Sequence, residues 1–254
     1  MGIENIKLKI GKLPKGKNNL ITDVKGVKVG HKTLDNGNIK TGVTAIIPHS
    51  DNIFREKLIS SSYVINGFGK SIGLVQINEL GTLETPIILT NTLSVGTCST
   101  ALVKYMLKEN DDIGVTTGTV NPVVCECNDG YLNDIRGLHV KEEDVFDAIE
   151  NAEINFKEGN IGAGTGMSCY QLKGGIGSAS RVLKLDDKEY TIGSLVLSNF
   201  GLKEDLLVDG IKVGEKILEK EREELEKGSI IIILATDIPM NERQLKRIAK
   251  RVPI

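Results

Sequence analysis

Tryptophan is absent from this chain, and only five tyrosines and five phenylalanines stand among its 254 residues. So little aromatic surface argues against a platform on which successive bases stack. A surplus of charge is missing too: 32 lysines and arginines face 34 aspartates and glutamates. No overall field therefore selects nucleic acid or an anionic membrane as partner. No apolar run approaches the roughly 20 residues of a membrane-spanning helix. Met1-Gly2-Ile3-Glu4-Asn5-Ile6 has no apolar signal core, and Ile6 stands where a myristoylation signal has Ser or Thr. The four cysteines, Cys98, Cys125, Cys127 and Cys169, include a C-x-C but no C-x-x-C pair, and only His31, His49 and His139 could join them. That pattern argues against structural zinc and fits free thiols in a reducing, cytoplasmic setting.

Familiar catalytic and phosphate-binding patterns are also missing. There is no H-E-x-x-H. Gly67-Phe68-Gly69-Lys70-Ser71 imitates the end of a P-loop, but Val64 stands where its first glycine belongs, and the preceding residues read as helix rather than strand. Gly162-Ala163-Gly164-Thr165-Gly166 imitates a dinucleotide loop, but Met167 takes the place of the third glycine. A turn packed closely against another backbone, or a wall of a binding cleft, fits that segment better. The three histidines stand apart from one another, each reading as structural or surface. A hydrolase so equipped needs another base.

What is present is glycine, 28 residues of it, punctuating short runs of Ile, Val and Leu. Residues 26–30, 42–48, 86–90, 193–198 and 230–234 read as strands, apolar enough to be covered on both faces. Residues 54–65, 98–107, 142–152, 214–227 and 241–252 read as helices. In the last, Leu245, Ile248, Ala249 and Val252 share one face. Without repeats, linkers or low-complexity tracts, the chain reads as one layered α/β domain over 1–254.

Gly228-Ser229 lies between the charged stretch and the run Ile230-Ile231-Ile232-Ile233-Leu234. Locally, Leu225-Glu226-Lys227-Gly228 reads as a helix closing on a glycine before a buried strand. The same residues also suit self-cleavage. A glycine carbonyl has no side chain to obstruct attack, and a serine hydroxyl directly after it can take the acyl group from nitrogen to oxygen. Hydrolysis of that ester frees an α-amine with a pKa of about 7.7–8.0, so one residue carries nucleophile and base.

The order of several segments decides between these readings. Residues 21–31 (ITDVKGVKVGH), 83–92 (LETPIILTNT), 127–135 (CNDGYLNDI), 162–167, 174–177 and 199–201 (NFG) are followed by Gly228-Ser229-Ile230-Ile231 and 235–239 (ATDIP). In this order they resemble the DmpA-type aminopeptidases, the family of L-aminopeptidase/D-Ala-esterase/amidases and β-aminopeptidases that mature by self-cleavage. The resemblance implies a four-layer αββα sandwich of the DmpA/ornithine-acetyltransferase-like type. It implies a large chain 1–228 and a small chain beginning at Ser229. It makes Ser229 the nucleophile, Tyr131 the active-site tyrosine and Asn199 the active-site asparagine, with no metal or organic cofactor. The expected partners are small peptides, amino-acid amides or esters, and further copies of the chain. Glu126 or Asp129, near Tyr131 in sequence, could pair with a substrate ammonium.

Two departures stand out. Lys70 occupies a position where the family's N-G-x-G-E-like segment is acidic. No N-G-S-G-[DE] segment follows Ser229, so the small chain 229–254 reads as shortened, which leaves a non-catalytic binding or structural relative as the alternative.

Overall fold

The computed structural model describes residues 10–217 and 228–253. The start, on which the reading of export and myristoylation rests, lies outside the described residues. Strand β1 (Lys28–Asn36) turns back into β2 (Ile39–Ile47) as an antiparallel hairpin. Helix α1 (Leu74–Leu80) leads towards β3 (Ile87–Asn91), antiparallel to β2. Helix α2 (Val95–Glu109) crosses over to β4 (Val123–Cys127), parallel to β3, and the first sheet has the order β1-β2-β3-β4. Helix α3 (Glu142–Glu150) follows.

A second hairpin joins β5 (Gly175–Leu185) to β6 (Lys188–Asn199). Its two-residue turn, Asp186-Asp187, has φ of 47° and 62°, the positive pair that matches the twist of flanking strands. Helix α4 (Val213–Ile217) opens the charged stretch, whose residues 218–227 lie outside the described residues. Strand β7 (Ser229–Thr236) then pairs with the other side of β6, so the second sheet runs β7-β6-β5 with β7 at its edge. Helix α5 (Glu242–Ala249) starts on a capping box, Asn241 Oδ1 accepting from Gln244 N at 3.0 Å while Gln244 Oε1 accepts from Asn241 N at 3.0 Å.

Side-chain alternation along the strands sorts the core into two layers. Val43, Ala45, Ile88 and Val124 face α2 and α3, packing with Leu102 and Val145. Their sequence neighbours Ile46, Leu89, Val123 and Cys125 face the second sheet and meet Leu195 and Leu197 of β6. Ile231, Ile233 and Ala235 of β7 close that layer half-buried. Helices thus lie on one sheet, and that sheet lies on another. Among the described residues no helix is long and apolar enough to cross a membrane.

The helix expected over 54–65 is not formed. Asn52 Oδ1 instead accepts from Phe54 N at 3.1 Å, making a tight turn, and Leu58–Ile59 pairs antiparallel with Thr82–Leu83. Ser60-Ser61-Ser62 follows, a run whose hydroxyls compete for backbone groups and weaken a helix. Strands β4 and β5 and helix α1 were not expected from sequence.

His31, on β1, ties the first sheet to the segment after α3. Its Nε2 lies 3.0 Å from the Lys157 carbonyl and its Nδ1 2.9 Å from Thr44 Oγ1. A carbonyl only accepts, so Nε2 carries the hydrogen and Nδ1 takes one from the threonine hydroxyl. Burial holds its pKa down, from 6.5 to about 4, against the opposing pull of the Lys157 carbonyl. The unfolded chain therefore binds this proton first. The contribution is complete above about pH 6.5 and is lost as pH falls towards 4, by at most roughly 3 kcal/mol. Urea unfolding at pH 7 and pH 4.5 checks this: the loss of stability at the lower pH should be smaller in His31→Gln than in the unaltered chain.

Candidate active site

The cross-strand register of β6 and β7 places Asn199, the last residue of one, directly opposite Ser229, the first of the other. Both stand where the second sheet meets the end of β4. The Asn199 side chain is held at both ends. Its Oδ1 accepts from Ser168 N at 3.0 Å, and its Nδ2 donates to the Asn128 carbonyl at 2.8 Å. These partners fix which end of the amide is nitrogen. They leave the second Nδ2 hydrogen for a further acceptor.

Gly228 precedes Ser229 in a place that admits no side chain. A Cβ there would lie 2.6 Å from Phe200 Cβ and 2.8 Å from Phe200 Cα. The Gly228-Ser229 peptide is accordingly seated against the backbone just after Asn199.

Glu126, on β4, is 5% exposed, yet it reaches the same cleft. Lys70 N donates to its Oε1 at 2.8 Å, and the Thr92 hydroxyl donates to its Oε2. Among the described residues no lysine, arginine or histidine forms an ion pair with it. A buried carboxylate served only by neutral donors is a ready counter-charge for an incoming cation. Tyr131 is 75% exposed and lines the cleft from the loop after β4. Asp129 is different. It has no exposed surface and lies beneath that loop, its Oδ1 accepting from Asn133 Nδ2 at 3.0 Å.

Ser229, Asn199, Tyr131 and Glu126 thus line one open cleft of about 2400 Å³. Strand β7 and the apolar side of α5, with Leu245 and Ile248, form part of its wall. That volume exceeds the 300–1,000 Å³ typical of a small-ligand pocket. The Gly67–Ser71 segment also borders it, but its Lys70 amide serves the Glu126 carboxylate, whose charge repels phosphate. The Lys70 ammonium turns back, donating to the Phe68 carbonyl at 2.7 Å and lying 3.9 Å from the centre of the Phe68 ring. The loop 162–167 is no part of the cleft wall. It packs below, where a Cβ on Gly166 would lie 2.7 Å from Asp129 Cβ.

Sequence reasoning missed the residues that hold this site: Ser168 and Asn128 on Asn199, and Thr92 with the Lys70 amide on Glu126. Thr92 and Asn128 fall inside segments quoted for the resemblance, but nothing in those segments marks them as supports.

A four-segment cleft with a serine opening a strand, an amide-bearing asparagine beside it and a buried carboxylate nearby has counterparts in known proteins. Residues 19–254 match the model of peptidase family S58, and the chain belongs to that family. It is 40% identical over 261 residues to the beta-peptidyl aminopeptidase BapA of Sphingosinicella microcystinivorans, covering 93% of this chain and 65% of that protein. It is 34% identical over 259 residues to the enzyme of the same name from Sphingosinicella xenopeptidilytica, covering 93% and 64%. The chain thus spans just under two thirds of the length of the curated relatives it matches.

Among solved structures, the PH0078 protein from Pyrococcus horikoshii OT3 matches with a TM-score of 0.94 and 55% identity, over 99% of this chain and 72% of that one. The L-aminopeptidase D-Ala-esterase/amidase from Ochrobactrum anthropi, described as a prototype for the serine aminopeptidases and a new variant of the Ntn hydrolase fold, matches with a TM-score of 0.85 and 34% identity, over 96% and 70%.

The thiols around β4 are set apart from this chemistry. Burial pushes Cys98 up to about 12 and Cys125 up to about 11. Burial and the neighbouring Glu126 charge raise Cys127 well above the usual thiol range. Cys169 alone is half-buried. Since the thiolate is the reactive form, titration with a thiol reagent at pH 8 should find one fast group in the folded chain and four in denaturant. A second fast thiol in the folded chain would contradict this placement.

Proposed function

We propose that this chain belongs to a self-processing serine aminopeptidase that releases N-terminal amino acids from short peptides, amides or esters. The observation that carries the reading is the pairing of Ser229 with Asn199 at the start of β7, in one cleft with the buried Glu126. Membership of peptidase family S58 and the aminopeptidase names of the relatives support it.

In the first reaction the Ser229 hydroxyl attacks the Gly228 carbonyl carbon. The C–N bond breaks, the acyl group passes to oxygen, and the nitrogen takes up a proton. Water then cleaves the ester, leaving a Gly228 carboxylate and a free Ser229 amine. In each turnover the hydroxyl attacks the substrate carbonyl and its proton passes to that amine. The amine returns the proton to the leaving nitrogen, and water releases the acyl group by the same route. Asn199 Nδ2 donates its remaining hydrogen to the developing oxyanion. Tyr131 adds a hydrogen bond or relays a proton. Glu126 receives the substrate ammonium. No step calls for a metal or organic cofactor.

The fold proposed with this function is the four-layer αββα sandwich, its second helical layer on the outer face of β5, β6 and β7. The working form is proposed to be a homo-oligomer.

Intact-mass measurement with turnover of aminoacyl anilides tests the reading. Expected are two fragments split after Gly228 and a single uncut chain in Ser229→Ala. Asn199→Ala should lose on the order of 10²–10³ in kcat. Glu126→Gln should lose roughly ten- to a hundredfold in kcat/KM, as for one charge-assisted hydrogen bond, and much less on substrates without a free amine. An uncut chain without turnover would instead support a non-catalytic relative of the family.

A further inference from the structure

We infer that Asp129 is the positioning residue for Asn199: from beneath the loop it sets the peptide plane whose carbonyl holds the Asn199 amide, an inference that rests on Asn199 being the oxyanion donor. The Asn128 carbonyl belongs to the peptide unit that ends at the Asp129 Cα. Because that unit is planar, whatever fixes Asp129 also aims the Asn128 oxygen at Asn199 Nδ2, which it meets at 2.8 Å.

Asp129 is fixed from several sides. Its own carbonyl accepts from Leu132 N at 3.1 Å and from Asn133 N at 2.9 Å, closing the loop on itself. Its Oδ1 takes the Asn133 side-chain amide, and Asn133 Oδ1 in turn accepts from Lys40 N at 2.9 Å, joining the loop to β2. The backbone at Gly166 closes over its Cβ. Thr41 and Asn91, linked by a 2.8 Å hydrogen bond, face the carboxyl from β2 and β3. Neither closes a hydrogen bond of full geometry to Oδ2, which is buried without a partner. Burial raises the pKa of this carboxyl while Thr41, Asn133 and Asn91 pull it back.

The side chains that face the Asp129 carboxyl, Thr41, Asn91 and Asn133, are neutral and can each donate, so the position calls for an acceptor. An asparagine of the same size would set its own side-chain amide NH2 against one of those donors and tilt the loop. A merely space-filling role would not require this polarity, nor a buried oxygen left over. The chain runs from Asn133 to Asp129, across one peptide plane to the Asn128 carbonyl, and from there to Asn199, opposite Ser229.

The test combines a spectroscopic readout that needs no turnover with a kinetic cycle. In full-length Ser229→Ala chain labelled with ¹⁵N-asparagine, the Asn199 side-chain amide signal is assigned by its loss in Asn199→Ala. It should shift or broaden on Asp129→Asn. Asn133→Ala, which leaves residue 129 unaltered, should move the same signal and keeps the test open should Asp129→Asn fail to fold. In the Ser229 enzyme, Asp129→Asn should lower kcat about tenfold or more with KM within about twofold. Combined with Asn199→Ala, it should be no slower than Asn199→Ala alone, since residues acting as a unit are not additive. An unmoved Asn199 signal in the folded variants, or losses that multiply, overturns the inference. A moved signal with an Asn199→Ala enzyme of full activity upholds the link and overturns the oxyanion role itself.

Discussion

The antiparallel ladder between β6 and β7 governs everything at the cleft. Side chains alternate faces along a strand, so a slip of one residue in that ladder would move Ser229 to the outer face and bring Ile230 opposite Asn199. The register is held by the layer it builds: Leu195 stands opposite Ile233 and Leu197 opposite Ile231 against the first sheet, and a shifted pairing would expose them. The chemistry at the end of the ladder thus depends on aliphatic packing further along the same strands. Gly228 completes the arrangement, because only a residue without a side chain can lie against Phe200.

Electrostatics at the cleft follow from what the first sheet buries. Glu126 lies in reach of the opening with two neutral donors and, among the described residues, no ion-pair partner. The cysteines on either side of it belong to the intersheet layer, Cys127 fully buried and Cys125 just at the cleft floor. Alternation along one short strand therefore sends a carboxylate towards the cleft and two thiols into the core. Asp129, two residues beyond the end of β4 (Val123–Cys127), lies wholly beneath the surface, and the substrate contact considered for it from sequence falls to Glu126 in the function proposed here.

Much of the fold could be read from the sequence because it was written in local pattern. The strands around 42–48, 86–90, 193–198 and 230–234, and the helices read over 98–107, 142–152 and 241–252, carry their own apolar periodicity, though the last two end a turn or less sooner, at Glu150 and Ala249. The misses share a cause: their structure is imposed from outside. Strand β4 interrupts its apolar run with Cys125, Glu126 and Cys127, and β5 is rich in glycine, serine and charged residues. Both become strands through the partners that flank them. Residues 54–65 carry a mixed pattern that Asn52 and the pairing of Leu58–Ile59 turn away from helix. At the cleft, Ser229, Asn199 and Tyr131 were named from family order and Glu126 from its nearness to Tyr131 in sequence, and the structure brings the four to one cleft. Ser168, Thr92 and the Asn128 carbonyl were invisible, because a hydrogen bond between distant segments leaves no trace in either.

Strand β7 has one further consequence. Five consecutive aliphatic residues, Ile230 to Leu234, lie on a rim whose outward peptide groups face no neighbouring strand among the described residues. No lysine, proline or bulge blunts that rim, the usual safeguards against sheets joining sheets. Such a border is adhesive: wherever it is left bare, like molecules will stack along it, and the stacked fraction will grow as concentration rises.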